Sequence, residues 1–179
     1  MERLRRFIWY LAGRLFLLLT LLSLFTVTFY YAMNATNIYI VLKDGMAKRA
    51  QVIMMEEDAS ELTKFFQSSY LQRDQNLQIA LEGKSPYTYY TVRGIDHRLK
   101  MTWMWCWPWD TTARAEFTET IPRIDGRVKS SSADAARALY GDGFEYPPKW
   151  QGGRYAATLV KENGQWHVRS LTLVSQVEE

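Results

Sequence analysis

One uncharged, apolar run dominates the start of the chain. Residues 15–33 read LFLLLTLLSLFTVTFYYAM, and apolar side chains occupy every face of a helix built from them. A helix needs roughly 20 apolar residues to span a bilayer. A cleaved signal peptide, the alternative, has an apolar region of only about 7–15 residues that ends in a small-x-small site. The pattern therefore predicts an uncleaved transmembrane anchor.

A helical period continues beyond this run. In residues 37–55, Met46, Ala50 and Ile53 recur at the spacing of one helix face. The segment is predicted to be a juxtamembrane helix. Glycine lowers helix propensity, so Gly45 is the position at which this helix could kink.

A second amphipathic pattern covers residues 58–74, DASELTKFFQSSYLQRD. Asp58 followed by Glu61 resembles a capping box, which marks a helix N-terminus. Phe65 and Phe66 then fall on one stripe with other bulky side chains. The segment is predicted to be one amphipathic helix that buries its aromatic stripe against a sheet.

Alternation with a period of two replaces the helical period after Pro86. Such alternation is typical of strands with one buried face. Three strands are predicted here: YTYYTVR (87–93), DHRLKMTWMWCW (96–107) and TARAEFTETI (112–121). In the third strand the inner face is expected to contain Ala113, Ala115, Phe117 and Ile121.

The C-terminal third predicts a short helix and a long hairpin. Residues 130–141, SSSADAARALYG, are expected to form a helix that ends at Gly141. Residues 153–175 alternate on both sides of Asn163-Gly164, a pair that favours a type I′ turn. Near Ser170 the alternation changes phase, which predicts a β-bulge in the last strand.

Four tryptophans occupy every second position of the second predicted strand and its end: Trp103, Trp105, Trp107 and Trp109. With unbroken alternation they share one face with Met101, while Thr102, Met104 and Cys106 occupy the other. A strand that is apolar on both faces belongs between two layers. Most of the row is therefore predicted to lie in the core, and Trp109, beyond Pro108, is predicted to be the most exposed.

The charge distribution orients the anchor and excludes one class of partner. The formal net charge is +3, and residues 1–36 account for all of it through four arginines and one glutamate. Because positively charged flanks stay in the cytoplasm, the N-terminus is expected there and the rest of the chain outside. The remainder carries 18 basic and 18 acidic residues, so it has no basic footprint for nucleic acid.

The closing hairpin and one upstream segment resemble a known superfamily. Residues 155–168 follow Y-x-x-x-L-V-K-E-N-G-x-W-x-V, which is similar to the last two strands of many nuclear transport factor 2-like domains. FFQSSYLQRD (65–74) looks like the opening helix of that superfamily. The resemblance covers roughly residues 56–175. It implies a cone of helices in front of a curved sheet.

With the anchor included, the predicted fold class is α+β: an N-terminal transmembrane helix followed by a cone-like domain of helices packed on a curved, mostly antiparallel sheet. The predicted units are a cytoplasmic tail and anchor (1–36), a juxtamembrane helix (37–55) and an extracytoplasmic domain (56–179). This arrangement is similar to bitopic cone-fold assembly proteins of bacterial conjugation and secretion machines, and to small anchored domains of spore-forming bacteria. The resemblance implies a membrane-anchored, non-enzymatic interaction or assembly module of a bacterial envelope.

Enzymes that share the cone fold place an Asp or an Asp–His pair in the mouth of the cone. The candidates here are Asp96, His97, Asp110 and His167. Asp96 and His97 are neighbours on one strand and so face opposite ways, and both histidines are expected to be exposed or half-exposed. Asp110 fits a tight turn, and Cys106 fits a sheltered apolar position. No inward carboxylate or histidine is identified among the aromatic side chains, so no catalytic residue is predicted.

The aromatic content of 15% favours binding instead. A binding groove is predicted from Trp109, Trp107, Tyr87 and Trp150. No cofactor and no metal site are predicted. The expected partners are the lipid bilayer through residues 8–33, a protein of the envelope and, as a further option, a second copy of the chain. The alternative is a small-ligand-binding or hydrolytic cone-fold domain whose aromatic side chains line a pocket.

Overall fold

The computed structural model describes residues 2–177, and its first element is a single long helix, α1 (Glu2–Met55). Part of α1 is long and apolar enough to cross a membrane, and none of that part is buried against the protein. Burial begins at Asn34 and recurs at Ile38, Leu42 and Met46, one helical turn apart. The same helix is therefore a candidate membrane span in its first half and a core element in its second.

Gly45 does not interrupt α1, and its role is close packing. A Cβ at this position would lie 2.8 Å from the Cβ of Phe65, a contact that side chains do not tolerate. The segment predicted as a juxtamembrane helix is thus helical, but it continues the preceding apolar run as one helix.

The predicted amphipathic helix over residues 58–74 is wrong. The segment forms a 3-10 turn (Ala59–Lys64) and a short helix, α2 (Ser68–Leu71), and a further helix, α3 (Gln75–Leu81), follows. The helix breaks because its backbone bonds to the last strand instead. Val168 donates its N–H to Phe65 O at 2.7 Å, and Gln67 donates to Val168 O at 2.9 Å.

The strands form two antiparallel sheets. A two-stranded sheet pairs β1 (Tyr90–Ile95) with β4 (Ile124–Val128). A four-stranded sheet has the order β2-β3-β5-β6, formed by β2 (Arg98–Trp105), β3 (Thr112–Thr120), β5 (Gly152–Glu162) and β6 (Gln165–Val177). Helix α4 (Ala133–Tyr140) lies between β4 and β5 in the chain, as predicted. β4 was not predicted, because five residues with a central glycine give almost no alternation.

The core lies between α1 and one face of the four-stranded sheet. The sheet contributes Ala113, Ala115 and Phe117 from β3, which confirms the predicted inner face of that strand. Phe66 and Leu62 fill the same core from the segment after α1. The fold is therefore α+β, with its helices packed on an antiparallel sheet.

The tryptophan row is not in the core, and that prediction is wrong. Met101 pairs with Phe117 across the hairpin, but the next pair is Trp103 with Glu116, so Thr102 is the extra residue of a β-bulge. The bulge leaves Met101 on the inner face and turns the tryptophans outward. Exposed fractions are 48% for Trp103, 46% for Trp105, 45% for Trp107 and 69% for Trp109. Trp109 is the most exposed, as predicted.

The last hairpin has the turn and the bulge that the sequence predicts. Asn163 and Gly164 connect β5 to β6 with φ angles of 51° and 83°, as a type I′ turn requires. Thr158 pairs with Ser170 and Leu159 with Val168, which leaves an extra residue beside Ser170 and confirms the predicted bulge.

Gly164→Val is expected to destabilise the full-length protein by about 1–2 kcal/mol, because a β-branched residue tolerates positive φ poorly. No other atom lies within 4 Å of a Cβ built at Gly164, so the loss would come from backbone strain and not from a clash. Chemical unfolding of the two proteins in detergent measures the difference. An unchanged unfolding midpoint would show that this turn relaxes at no cost.

Candidate functional site

The main cleft lies between the end of α1 and the ends of β5 and β6. It has a volume of about 590 Å³, within the usual range for ligand sites. Apolar and aromatic side chains from five elements line it, including Ile53 of α1, Ile79 of α3, Tyr140 of α4, Tyr155 of β5 and Leu173 of β6. Two lysines, Lys84 and Lys149, add positive charge at the lining.

Tyr87 and Trp150 meet in this cleft, as two of the four predicted groove residues. Their ring centroids are 6.4 Å apart. Tyr87 is held in a 3-10 turn (Pro86–Tyr89), where Ser85 Oγ accepts its backbone N–H and donates to Ile53 O. Burial raises the pKa of Tyr87 to about 12, so its hydroxyl stays protonated at neutral pH. Among the residues from 2 to 177, the buried indole N–H of Trp150 finds no acceptor.

The other two predicted groove residues lie elsewhere, in a cluster with Trp105. Trp105 and Trp107 meet edge to face with centroids 5.2 Å apart, and Trp107 stacks on Trp109 at 5.4 Å. We call these three residues the tryptophan patch. The patch touches α1, since the ring centroids of Trp105 and Tyr31 are 6.3 Å apart. None of its members lines the main cleft.

A charged pair is buried in the core. Arg49 of α1 binds Asp74 with two hydrogen bonds, of 2.5 Å and 2.9 Å, and both side chains are buried. Asp74 also accepts from Tyr70 Oη and from the N–H of Leu77, where it caps α3. Burial alone would raise the pKa of Asp74, but the hydrogen bonds and charge of Arg49 hold it below its ordinary value. The pair thus remains ionised inside the protein.

A second polar pair, His97 with Glu119, contradicts one expectation. His97 Nε2 lies 3.0 Å from Glu119 Oε1, and their side chains are 6% and 0% exposed. His97 as a whole residue is half-buried, which agrees with the expectation that it is exposed or half-exposed, although little of its side chain is exposed. Glu119 is the inward carboxylate that was not predicted, although the alternation of β3 places it directly between Phe117 and Ile121. Its second oxygen, Oε2, is buried without a partner among the described residues.

The remaining chemical candidates have local structural roles. Asp110 closes the β2–β3 turn, because its carboxylate accepts the N–H of Trp107 and its own N–H donates to Trp107 O. Asp96 forms an ion pair with Arg98. Cys106 is buried, and burial raises the pKa of its thiol, which disfavours the nucleophilic thiolate. His167 is half-buried beside Trp166.

The described residues contain no group of three or more His, Cys, Asp or Glu side chains that could hold a metal ion. Comparison with protein-family models, with curated proteins and with solved structures found no match to the chain.

Proposed function

We propose that this chain is a single-pass membrane protein whose extracytoplasmic domain is a non-enzymatic interaction or assembly module, with a cone-like fold of the nuclear transport factor 2 type, in a bacterial envelope complex. The N-terminus lies in the cytoplasm, next to the arginine cluster that precedes the apolar run. The observation that carries the proposal is the continuity of α1, which is exposed over the apolar run and buried from Asn34 onward.

A continuous helix determines where the domain sits relative to the bilayer. A flexible linker would let the domain sample many orientations, whereas α1 fixes both height and direction. Ile53, which lines the cleft, follows Asn34 by 19 residues, and this is roughly 30 Å of helix at 1.5 Å per residue. The cleft is thus presented to partners well above the lipid.

The cleft suits a protein segment with apolar and acidic side chains. Its aromatic rings offer rigid contact area to a partner. Lys149 complements negative charge, whereas Lys84 is already paired with Glu82 at 2.7 Å. An interaction module needs these features and requires no reactive group.

Site-specific photo-cross-linking in living cells tests this proposal. A photoreactive residue at Leu173, which lines the cleft and is 49% exposed, is expected to give one discrete adduct with an envelope protein. Val174 is the matched control, because it is 55% exposed but does not line the cleft. Equal labelling from the two positions would contradict a partner in the cleft, and a cytoplasmic partner would contradict the orientation.

The buried His97–Glu119 pair favours the alternative, a small-ligand-binding or hydrolytic domain. An inward carboxylate with a histidine partner is what such a domain needs, and Glu119 Oε2 is buried without a hydrogen-bond partner among residues 2–177. Neither residue lines the main cleft, however. Native mass spectrometry of the purified protein would detect a retained small molecule, and a mass equal to that of the chain alone would count against this alternative.

A further inference from the structure

The tip of the β2–β3 hairpin is fixed against the end of the apolar run in α1. Asn34 Nδ2 donates to Pro108 O at 3.2 Å, and the Tyr31 ring contacts Trp105. Tyr31 lies in the last turn of the uncharged run (15–33), and Asn34 directly follows that run. The tryptophan patch (Trp105, Trp107 and Trp109) is therefore held beside the helix at this level.

The bilayer boundary falls at the same level. Residues 15–33 extend about 28 Å as a helix, close to the roughly 30 Å hydrocarbon core of a bilayer. Arg14 marks the inner end of this run, so its outer end lies near Met33. A domain joined to α1 by this contact cannot lift its tryptophan patch away from the lipid without breaking the Asn34–Pro108 hydrogen bond.

The chemistry of the patch matches the headgroup region. Tryptophan is enriched at membrane–water interfaces, because its ring is apolar and its N–H is a hydrogen-bond donor. The three indoles are 45–69% exposed, although they are among the largest apolar side chains. Arg114, which is exposed and pairs with Trp105 across the hairpin, supplies a cation for lipid phosphate.

We infer that the tryptophan patch inserts into the headgroup region of the bilayer that α1 crosses, and so forms a second membrane contact of the domain. This inference rests on the proposed anchoring of α1. The occupant is the lipid surface itself, because the patch continues the membrane-spanning surface of α1 at its outer edge. Two contacts, the span and the patch, would prevent the domain from tilting about α1.

Two tryptophan-reporter variants of the full-length protein separate the inference from the anchoring. The chain has seven tryptophans. The anchor reporter keeps Trp9 and carries Trp→Phe changes at the three patch positions, whereas the patch reporter keeps the patch and carries Trp9→Phe. Trp103, Trp150 and Trp166 remain in both variants as a common background.

Both reporters are reconstituted into vesicles of phosphatidylcholine and phosphatidylglycerol, with or without phosphatidylcholine brominated near the headgroup end of its acyl chains. Bromine quenches only indoles that it approaches closely. The patch reporter is expected to lose about half of its emission, since three of its six indoles would lie at the interface. Lipid brominated near the methyl end of the chains should quench it less.

Each result decides one part of the argument. If the anchor reporter is quenched and the patch reporter is not, the lipid contact is refuted while the anchoring stands. If the anchor reporter is not quenched by either lipid, the anchoring fails and the inference fails with it. If the patch is shielded from aqueous iodide but not quenched by bromine, a protein surface such as a second copy covers it, and the lipid contact is likewise refuted.

Discussion

Replacing Arg49 with methionine is expected to destabilise the protein by about 3–5 kcal/mol, because the change leaves the buried carboxylate of Asp74 without its charge partner. Both side chains are almost completely buried, and two hydrogen bonds join them. A typical domain is stable by only about 5–15 kcal/mol, so this single change would remove much of its margin. Chemical unfolding of the full-length protein in detergent, followed by near-ultraviolet circular dichroism, measures the loss.

Two further variants show whether the loss comes from the unpaired charge. Arg49→Met with Asp74→Leu removes both charges and should recover most of the stability, apart from about 1 kcal/mol for the lost cap of α3. Lys48→Met is the matched control on the same helix, where the ion pairs with Glu57 and Glu61 are more exposed, and its effect should be much smaller. A double variant no more stable than Arg49→Met would contradict this explanation.

The pH dependence gives an independent check of the same pair. Since the folded pKa of Asp74 is lowered, its ion pair contributes fully above the unfolded aspartate pKa of about 3.9. That contribution is lost as the pH falls through the lower folded pKa. The stability difference between wild type and Arg49→Met should therefore narrow in acid. If the stability difference between wild type and Arg49→Met stays constant from neutral pH down to pH values below the aspartate pKa, ionised Asp74 is not the cause of that difference.

The sequence was most informative where local chemistry determines local structure. Asn163-Gly164 predicted the final turn, because few other pairs accept positive φ at both positions. The change of phase near Ser170 predicted its bulge. The long apolar run predicted a helix without any tertiary information, since its composition leaves little alternative.

Errors arose where distant segments override a local pattern. Residues 58–74 have a helical stripe, but Phe65 and Gln67 bond to Val168, more than a hundred residues later in the chain. A single-sequence pattern contains no information about that partner. The four predicted groove residues lie in two separate places for the same reason. Only the tertiary fold determines that Tyr87 meets Trp150 while Trp107 and Trp109 join Trp105.

Glu119 and the tryptophan row were misjudged for a different reason. The tryptophans were expected inside because they are apolar, whereas Glu119 was not considered as an inner-face residue because it is charged. The alternation of β3 places Glu119 inside, and only the histidine partner explains how the carboxylate is accommodated there. In β2 the extra residue, Thr102, moves the side chains that follow it to the opposite face of the sheet. The composition of the strand does not predict this bulge.

Trp166→Ala and Trp103→Ala are expected to differ in their effect on stability by roughly 3 kcal/mol, although both remove an indole from the same sheet. Trp166 is 2% exposed and lies in the core, so its truncation should cost about 3–5 kcal/mol. Trp103 is 48% exposed beyond the bulge at Thr102, and its truncation should cost about 1 kcal/mol or less.

The comparison tests whether the bulge turns the row outward. Both variants keep α1 intact, so the same unfolding measurement in detergent applies to each, and Trp103→Phe serves as the conservative control. Equal losses for Trp166→Ala and Trp103→Ala would mean that Trp103 lies in the core and that Thr102 does not reverse the strand. Because a tryptophan row that faces outward is available to the membrane and one that faces inward is not, the same result would also remove the basis for the lipid contact of the tryptophan patch.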